Sequence, residues 1–343
     1  MGSCTAKAKS PSHPLHLDLL DLEAKESCPT PTTPIEVPSS ALPEHTIKGQ
    51  LSEALQQPSD DKQVCGREQV GEMVLRVGFA CRMGRKAERF NQDDFCLTRK
   101  GDLLLLSVFD GHGPDGHRVA AYARDRLPAL LLDGYNERLL EFHIKEAFEN
   151  VHREVLESGY SCELSGTTAL VVVVDGNKLI SAHVGDSKAV LGKHVNGEYE
   201  AEVLTKDHKP NYIKERVRIE ACGGEIKRLP RDIPDRIFKP GTGLPGLSLS
   251  RAIGDQAAHC LGVTHIPEVT SLTLTPGHSF ILLCSDGVWE FISPQDAVSL
   301  VGQFQPHHAQ EAVEKLANLA WQKWEVEEHQ RVDDITVVLA YLT

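Results

Sequence analysis

The chain has 343 residues, 41% of them hydrophobic and 25% charged, with a formal net charge of −13, which argues against a general affinity for nucleic acid, although carboxylates holding divalent cations would still allow phosphate to bind. The nine cysteines are scattered without a Cys-x-x-Cys pair, which argues against a structural zinc site or a disulfide framework and for a reducing compartment. No apolar run approaches the roughly 18 residues of a membrane span, and the N-terminus lacks the apolar core of a signal peptide.

The chain opens MGSCTAKAKS. Gly2 behind Met1, with Lys7 close by, resembles an N-myristoylation site, although Ala6 stands where Ser or Thr is usual. Cys4 offers a place for a second, palmitoyl chain. One myristoyl chain attaches only marginally, so both would be needed for stable peripheral anchoring. A chance Met-Gly start is an equal alternative. The first aromatic residue is Phe79, and eight of the 19 prolines precede residue 60; a segment so composed cannot bury enough surface to offset its ordering entropy. Residues 1–65 are therefore expected to be a disordered Pro/Ser/Thr-rich tail. Within it, LHLDLLDLEA reads either as a docking helix or as a transient helix without a partner.

Residues 66–343 read as one α+β domain. Strands are expected at MVLRVGFACRM, DLLLLSVFD, TALVVVVDG, KLISAHVGD, KAVLGKHV, SLTLT, SFILLCSDG and DITVVLAYL, rich in Val, Ile and Leu and bounded by Gly, Asp or Pro. Helical periodicity runs through HRVAAYARDRLPALLL, NERLLEFHIKEAFENVHREVLES, YIKERVRIEACG and HAQEAVEKLANLAWQKW; on the second, Leu139, Phe142, His143, Ala147 and Val151 form an expected apolar stripe. Successive strands without intervening helices pair most simply as antiparallel hairpins, which predicts antiparallel sheets covered by helices. Residues 224–249, rich in Pro and Gly and without a clear period, read as an irregular surface flap.

Four places put an acid at a strand end: Asp93 in NQDDF, Asp110 in VFDGHG, Asp286 in CSDGVWE and Asp333 in VDDIT. Aspartates converging from separate strands repel one another and stay ionised together only around a cation. Hard oxygen ligands suit Mg²⁺ or Mn²⁺. An isolated Asp-Gly after a strand is usually only a turn, and Asp175 in VVVVDGNKLIS is read that way. The loop at Asp110 lacks EF-hand spacing. His112 and His117 lack the zinc-protease arrangement; His117 falls in the first turn of a helix, where a structural role fits. His307 and His308 read as surface residues.

Taken together, NQDDF, VFDGHGPDGH, SGTTAL, AHVGDSKAV, DHKP followed by RIEACGGEI, LSLSRAIGD, LLCSDGVWE and VDDITVVLA resemble the metal-dependent serine/threonine phosphatases of type 2C, from about Gly78 to the C-terminus. The resemblance implies an α-β-β-α sandwich of two antiparallel sheets flanked by helices. It implies a hydrolase with two Mg²⁺ or Mn²⁺ ions per subunit, acting on phosphoprotein substrates, with no nucleic-acid partner. Asp110 would bridge the cations, the Gly111 carbonyl would ligate one, and Asp93, Asp286 and Asp333 would complete the set, partly through waters. Water activated between the ions would attack phosphorus in line, and His112 would protonate the leaving oxygen. A third ion would use Asp186 and Glu290, where Glu replaces the family's Asp and reaches one methylene further. Gln92 stands where a Glu is frequent, and Asp334 where an Asn is common. For the phosphate-holding cation Lys86 and Arg89 are both open, with Arg85 behind them. A pseudophosphatase and a hydrolase of small phosphate esters are competing readings; occupied carboxylate positions favour catalysis. A cytoplasmic monomer, attached to membranes if Gly2 is acylated, is the expected state.

Overall fold

The computed structural model describes residues 46–48, 69–70, 73–74, 76–133, 135, 140–229 and 234–342. The chain divides into a unit over 1–35, outside the described residues, and a unit over 36–343. In the second, strands Thr46–Lys48 (β1), Arg76–Arg82 (β2), Asp93–Lys100 (β3), Leu103–His112 (β4), Ala169–Asp175 (β5), Lys178–Val184 (β6), Lys188–Val195 (β7) and Glu198–Val203 (β8) precede the flap, which holds Glu225–Arg228 (β9), Asp235–Phe238 (β10) and Pro245–Leu247 (β11); Glu268–Thr273 (β12), His278–Cys284 (β13) and Ile335–Tyr341 (β14) follow. The helices are Gly116–Asp133 (α1), Leu140–Glu157 (α2), Ile213–Ala221 (α3), Gln256–His259 (α4), Asp286–Trp289 (α5), Pro294–Val301 (α6) and Ala309–Glu327 (α7).

One sheet runs β1-β3-β4-β5-β6-β12 and the other β8-β7-β13-β14-β2, with antiparallel neighbours throughout. Alternation along each strand assigns its side chains to a layer. On β4, Leu104, Leu106 and Val108 enter the core between the sheets with Phe95, Leu170, Val172, Ile281 and Leu283. Leu105 and Phe109, on the other face, pack under α1 and α2 with Phe148 and Val151. On β13, Phe280 and Leu282 turn outward to meet Val298, Val313 and Leu316 of α6 and α7. Phe79 and Phe95 stack at 5.2 Å across the central layer. The result is the expected helix–sheet–sheet–helix sandwich. Asp175 pairs with Lys178 across a tight turn with Gly176 at φ 56°, so it ends a hairpin, as read.

Three details differ from the sequence reading. Residues 46–48, inside the stretch read as tail, pair with β3 and bury Ile47; the Gly2–Cys4 start and LHLDLLDLEA lie outside the described residues. The buried face of α2 is Leu140, Ile144, Ala147, Phe148, Val151 and Val155, whereas Phe142 is 63% exposed. Leu139 lies outside the described residues, and the true stripe is rotated by about one residue, a shift that a 3.6-residue period makes easy to mistake. Finally, the flap is not irregular: β9, β10 and β11 form a small antiparallel sheet. It packs Ile226, Ile237 and Leu247 against Ile219 of α3 and Leu261. Strands of three or four residues are too short to display a period.

Candidate active site

The acids sit where the strands of the two sheets end. Asp93 and Asp110 are directly opposite each other in the β3–β4 ladder, which brings two carboxyl-bearing residues to one point. The Asp110 backbone is tied to Thr168, whose hydroxyl lies 3.0 Å from the Asp110 amide and 2.8 Å from Ser187 Oγ. Gly111 has no room for a side chain, because a Cβ there would lie 2.4 Å from the Gly116 carbonyl oxygen and 2.7 Å from that of Gln92. Asp286 opens α5, beside Ser285, whose hydroxyl donates to Asp93 at 2.7 Å. Gly287 is equally constrained: a Cβ would stand 1.9 Å from the Asp334 carbonyl oxygen.

Carboxylate oxygens of Asp110, Asp186 and Asp286 all lie within 4.8 Å of one another. Burial, and then the mutual repulsion of these acids, pushes Asp110 and Asp286 well above the usual carboxylate range. Asp93 is pushed up to about 7, chiefly by burial and then by Asp334. Asp186 Oδ1 is buried with no hydrogen-bond partner. Converging acids, two of them with raised pKa values and the third with an unsatisfied buried oxygen, are a donor set that a hard divalent cation would complete. The residues therefore fit Mg²⁺ or Mn²⁺.

Two lysines answer part of this negative charge. Lys86 Nζ lies 2.6 Å from Asp333 and 2.9 Å from Asp334; burial opposes its charge, but the two carboxylates outweigh burial and its pKa is raised. Lys209, in DHKP, pairs with Asp186. Asp334, 1% exposed, also accepts the Gly84 and Gln92 amides, both at 2.7 Å, so it pins the 84–92 loop to the start of β14. Gln92 donates its side-chain amide to the Gly113 carbonyl at 2.7 Å.

His112 ends β4, and its Nε2 lies 2.7 Å from Asp255 Oδ2. Burial works against the imidazolium, but Asp255 prevails and raises the pKa. Asp255 itself is in the left-handed region at φ 51°, a conformation that Asp tolerates better than most residues. Its amide donates to the Ser165 carbonyl at 2.9 Å. Gly166 makes space for its carboxylate, since a Cβ there would sit 2.2 Å from Oδ2.

A cavity of about 770 Å³ opens over these groups; Asp110, Gly111, His112, Asp186, Asp286, Asp333, Lys86 and Lys209 line it, and the flap strands supply part of its wall. Of the phosphate-cation candidates, Lys86 lines the cavity, whereas Arg89 is exposed and outside it and Arg85 faces Glu325 and the Gln330 carbonyl. The two carboxylates draw Lys86 inward, and nothing comparable faces Arg89. Glu290 is exposed at the cavity wall and is not one of the three converging acids. His117 stacks on Phe90 at 4.5 Å, fitting a structural role. Asp255 and Lys209 have no role assigned by the sequence, although both lie in motifs that carry the family resemblance, SRAIGD and DHKP.

A cavity at strand ends that sets carboxylates, lysines and one histidine around a common centre suits the hydrolysis of phosphate esters. Comparison with known proteins places it more narrowly. Residues 81–327 match the family model for protein phosphatase 2C. The chain is 35% identical to probable protein phosphatase 2C 72 of Arabidopsis thaliana, over 78% of this chain and 86% of that relative. It is 36% identical to probable protein phosphatase 2C 64 of Oryza sativa subsp. japonica, over 76% and 64% of the two chains. Among solved structures, serine-threonine phosphatase 2C from Toxoplasma gondii has the same fold, with a TM-score of 0.71 at 20% identity, covering 83% of this chain and 99% of that one. The chain belongs to the protein phosphatase 2C family and is a protein serine/threonine phosphatase.

Proposed function

We propose that this phosphatase hydrolyses phosphoserine and phosphothreonine in protein substrates with two Mg²⁺ or Mn²⁺ ions held by Asp93, Asp110, the Gly111 carbonyl, Asp286 and Asp333. Asp186 and Glu290 are the residues on which a third ion would draw. When bound, the ions supply Lewis-acid activation of water and neutralise charge on the phosphoryl group. The observation that carries this reading is the convergence of the Asp110, Asp186 and Asp286 oxygens within 4.8 Å, in a setting that resists ionisation of Asp110 and Asp286.

The chain's own residues do the rest. Asp110 and Asp286, fixed at strand ends, set the geometry of the centre. Lys86, at the cavity wall, offers a cation to the phosphate as well as to Asp333. His112, whose charged form Asp255 favours, gives its proton to the departing serine or threonine oxygen. The flap sheet borders the same cavity and is positioned to contact the peptide around the phosphorylated residue. Membrane attachment through Gly2 and Cys4 belongs to the same proposal, for an otherwise cytoplasmic enzyme; among the described residues no helix is long and apolar enough to cross a membrane. The test is hydrolysis of a phosphoserine peptide by the wild type and by Asp286→Asn, with Mn²⁺ and with chelator. Turnover that needs both Mn²⁺ and Asp286 is expected; equal turnover in chelator overturns the metal assignment.

A further inference from the structure

Away from the carboxylate centre, three imidazoles meet: His152 from α2, His259 from the end of α4, and His265 from the loop before β12. Each has a ligand nitrogen within 4.8 Å of the other two. Ring centroids are 4.3 Å apart for His152–His259 and for His152–His265, and 5.6 Å for His259–His265. We propose that His152, His259 and His265 form a second metal site, for one divalent transition-metal ion of the zinc class.

Plain ring packing explains the stacking but not the nitrogens. His259 Nε2 and His265 Nδ1 are buried and have no hydrogen-bond partner, and leaving such atoms unsatisfied is unfavourable. The other nitrogen of His265, Nε2, lies 2.5 Å from Glu149 Oε2. This carboxylate places the ring proton on Nε2 and leaves the Nδ1 lone pair for a ligand, the arrangement in which an outer carboxylate orients a metal-bound histidine. Burial and the neighbouring rings push His152 down to about 3, and burial pushes His259 down to about 4, so both rings are neutral donors near pH 7.

The chemistry selects the ion. Three imidazoles suit Zn²⁺, Co²⁺, Ni²⁺ or Cu²⁺ and not Mg²⁺, which prefers oxygen. Tetrahedral zinc with nitrogens at about 2.0–2.1 Å needs them about 3.4 Å apart, so the rings tilt and close slightly on binding. His152 Nδ1 accepts the Gly254 amide at 3.2 Å, a long bond that would be given up if Nδ1 is the ligating nitrogen. A site of this kind would tie α2, α4 and the following loop together. No motif marks it, because His152 lies more than one hundred residues before His259 and His265.

The experiment is zinc binding to the full chain in buffer saturated with Mg²⁺, by equilibrium dialysis with metal analysis, and cobalt binding read by d–d absorption. The expected result is one tightly held Zn²⁺ per chain and a Co²⁺ spectrum of a nitrogen-rich, low-coordinate site. Both are lost in His259→Gln and His265→Asn and retained in Asp110→Asn. Glu149→Gln should weaken zinc about tenfold or more. His265 has a side chain 16% exposed, so its replacement tests the site even if His259→Gln does not fold. Zinc that is retained in the histidine variants, or lost in Asp110→Asn, overturns the proposal, as does a wild type that holds none.

Discussion

His112 Nε2 and Asp255 Oδ2 meet at 2.7 Å although 143 positions separate them in the chain. The pairing raises the pKa of the imidazole despite its burial, and a general acid is active only while protonated. Its contribution is therefore lost as pH rises through its pKa. Asp255→Asn lowers that pKa, so the alkaline limb of the rate profile on a phosphoserine peptide should move to lower pH.

His112→Ala should slow phosphoserine hydrolysis by about 10²–10⁴-fold, the usual worth of general-acid help. An aryl phosphate, whose leaving phenolate needs little protonation, should lose far less. Equal losses on the two substrates would show that His112 supports the metal centre and not the leaving group.

Asp110 and Asp286 have pKa values raised above the unfolded range. Such groups favour the folded state below their unfolded pKa, and that contribution disappears as pH rises through the folded one. In metal-free buffer the melting temperature should therefore fall with rising pH. Mn²⁺ should remove much of that dependence and raise the melting temperature, since an ion that binds only the folded chain stabilises it. Asp286→Asn should abolish turnover yet melt no lower than the metal-free wild type. A sharp drop in its melting temperature would argue against carboxylate repulsion.

Lys86 lines the cavity and Arg89 does not. Lys86→Ala should lower kcat/KM by about 10–100-fold, the range of a lost charge-assisted hydrogen bond. Arg89→Ala should leave kcat/KM within about twofold, as expected of an exposed charge. The opposite ranking would move the phosphate contact to Arg89.

If Gly2 carries the proposed acyl chain, Gly2→Ala should shift the protein from membrane to soluble fractions of cells, because such a chain requires an N-terminal glycine. A wild type already wholly in the soluble fraction would reject lipidation.

Much of this architecture is legible in the chain itself. Val, Ile and Leu runs ending in Asp mark the strands, because alternation sorts side chains between layers. The same runs place Asp93, Asp110, Asp286 and Asp333 at strand ends. The face of α2 is misjudged by one residue, since Phe142 is apolar yet points to solvent. The flap reads as irregular because its apolar residues, Ile226, Ile237 and Leu247, cohere only through α3.

The sequence by itself determined the sandwich, the acids at its strand ends and the resemblance that names their chemistry, because these depend on local periodicity and on motifs a few residues long. Tertiary structure alone decided that Asp255 faces His112, that Lys209 faces Asp186, that Lys86 and not Arg89 turns inward, and that His152 meets the distant His259 and His265. Each of those pairings joins separate elements, and electrostatic attraction and burial act on distance in space, which spacing along the chain does not encode.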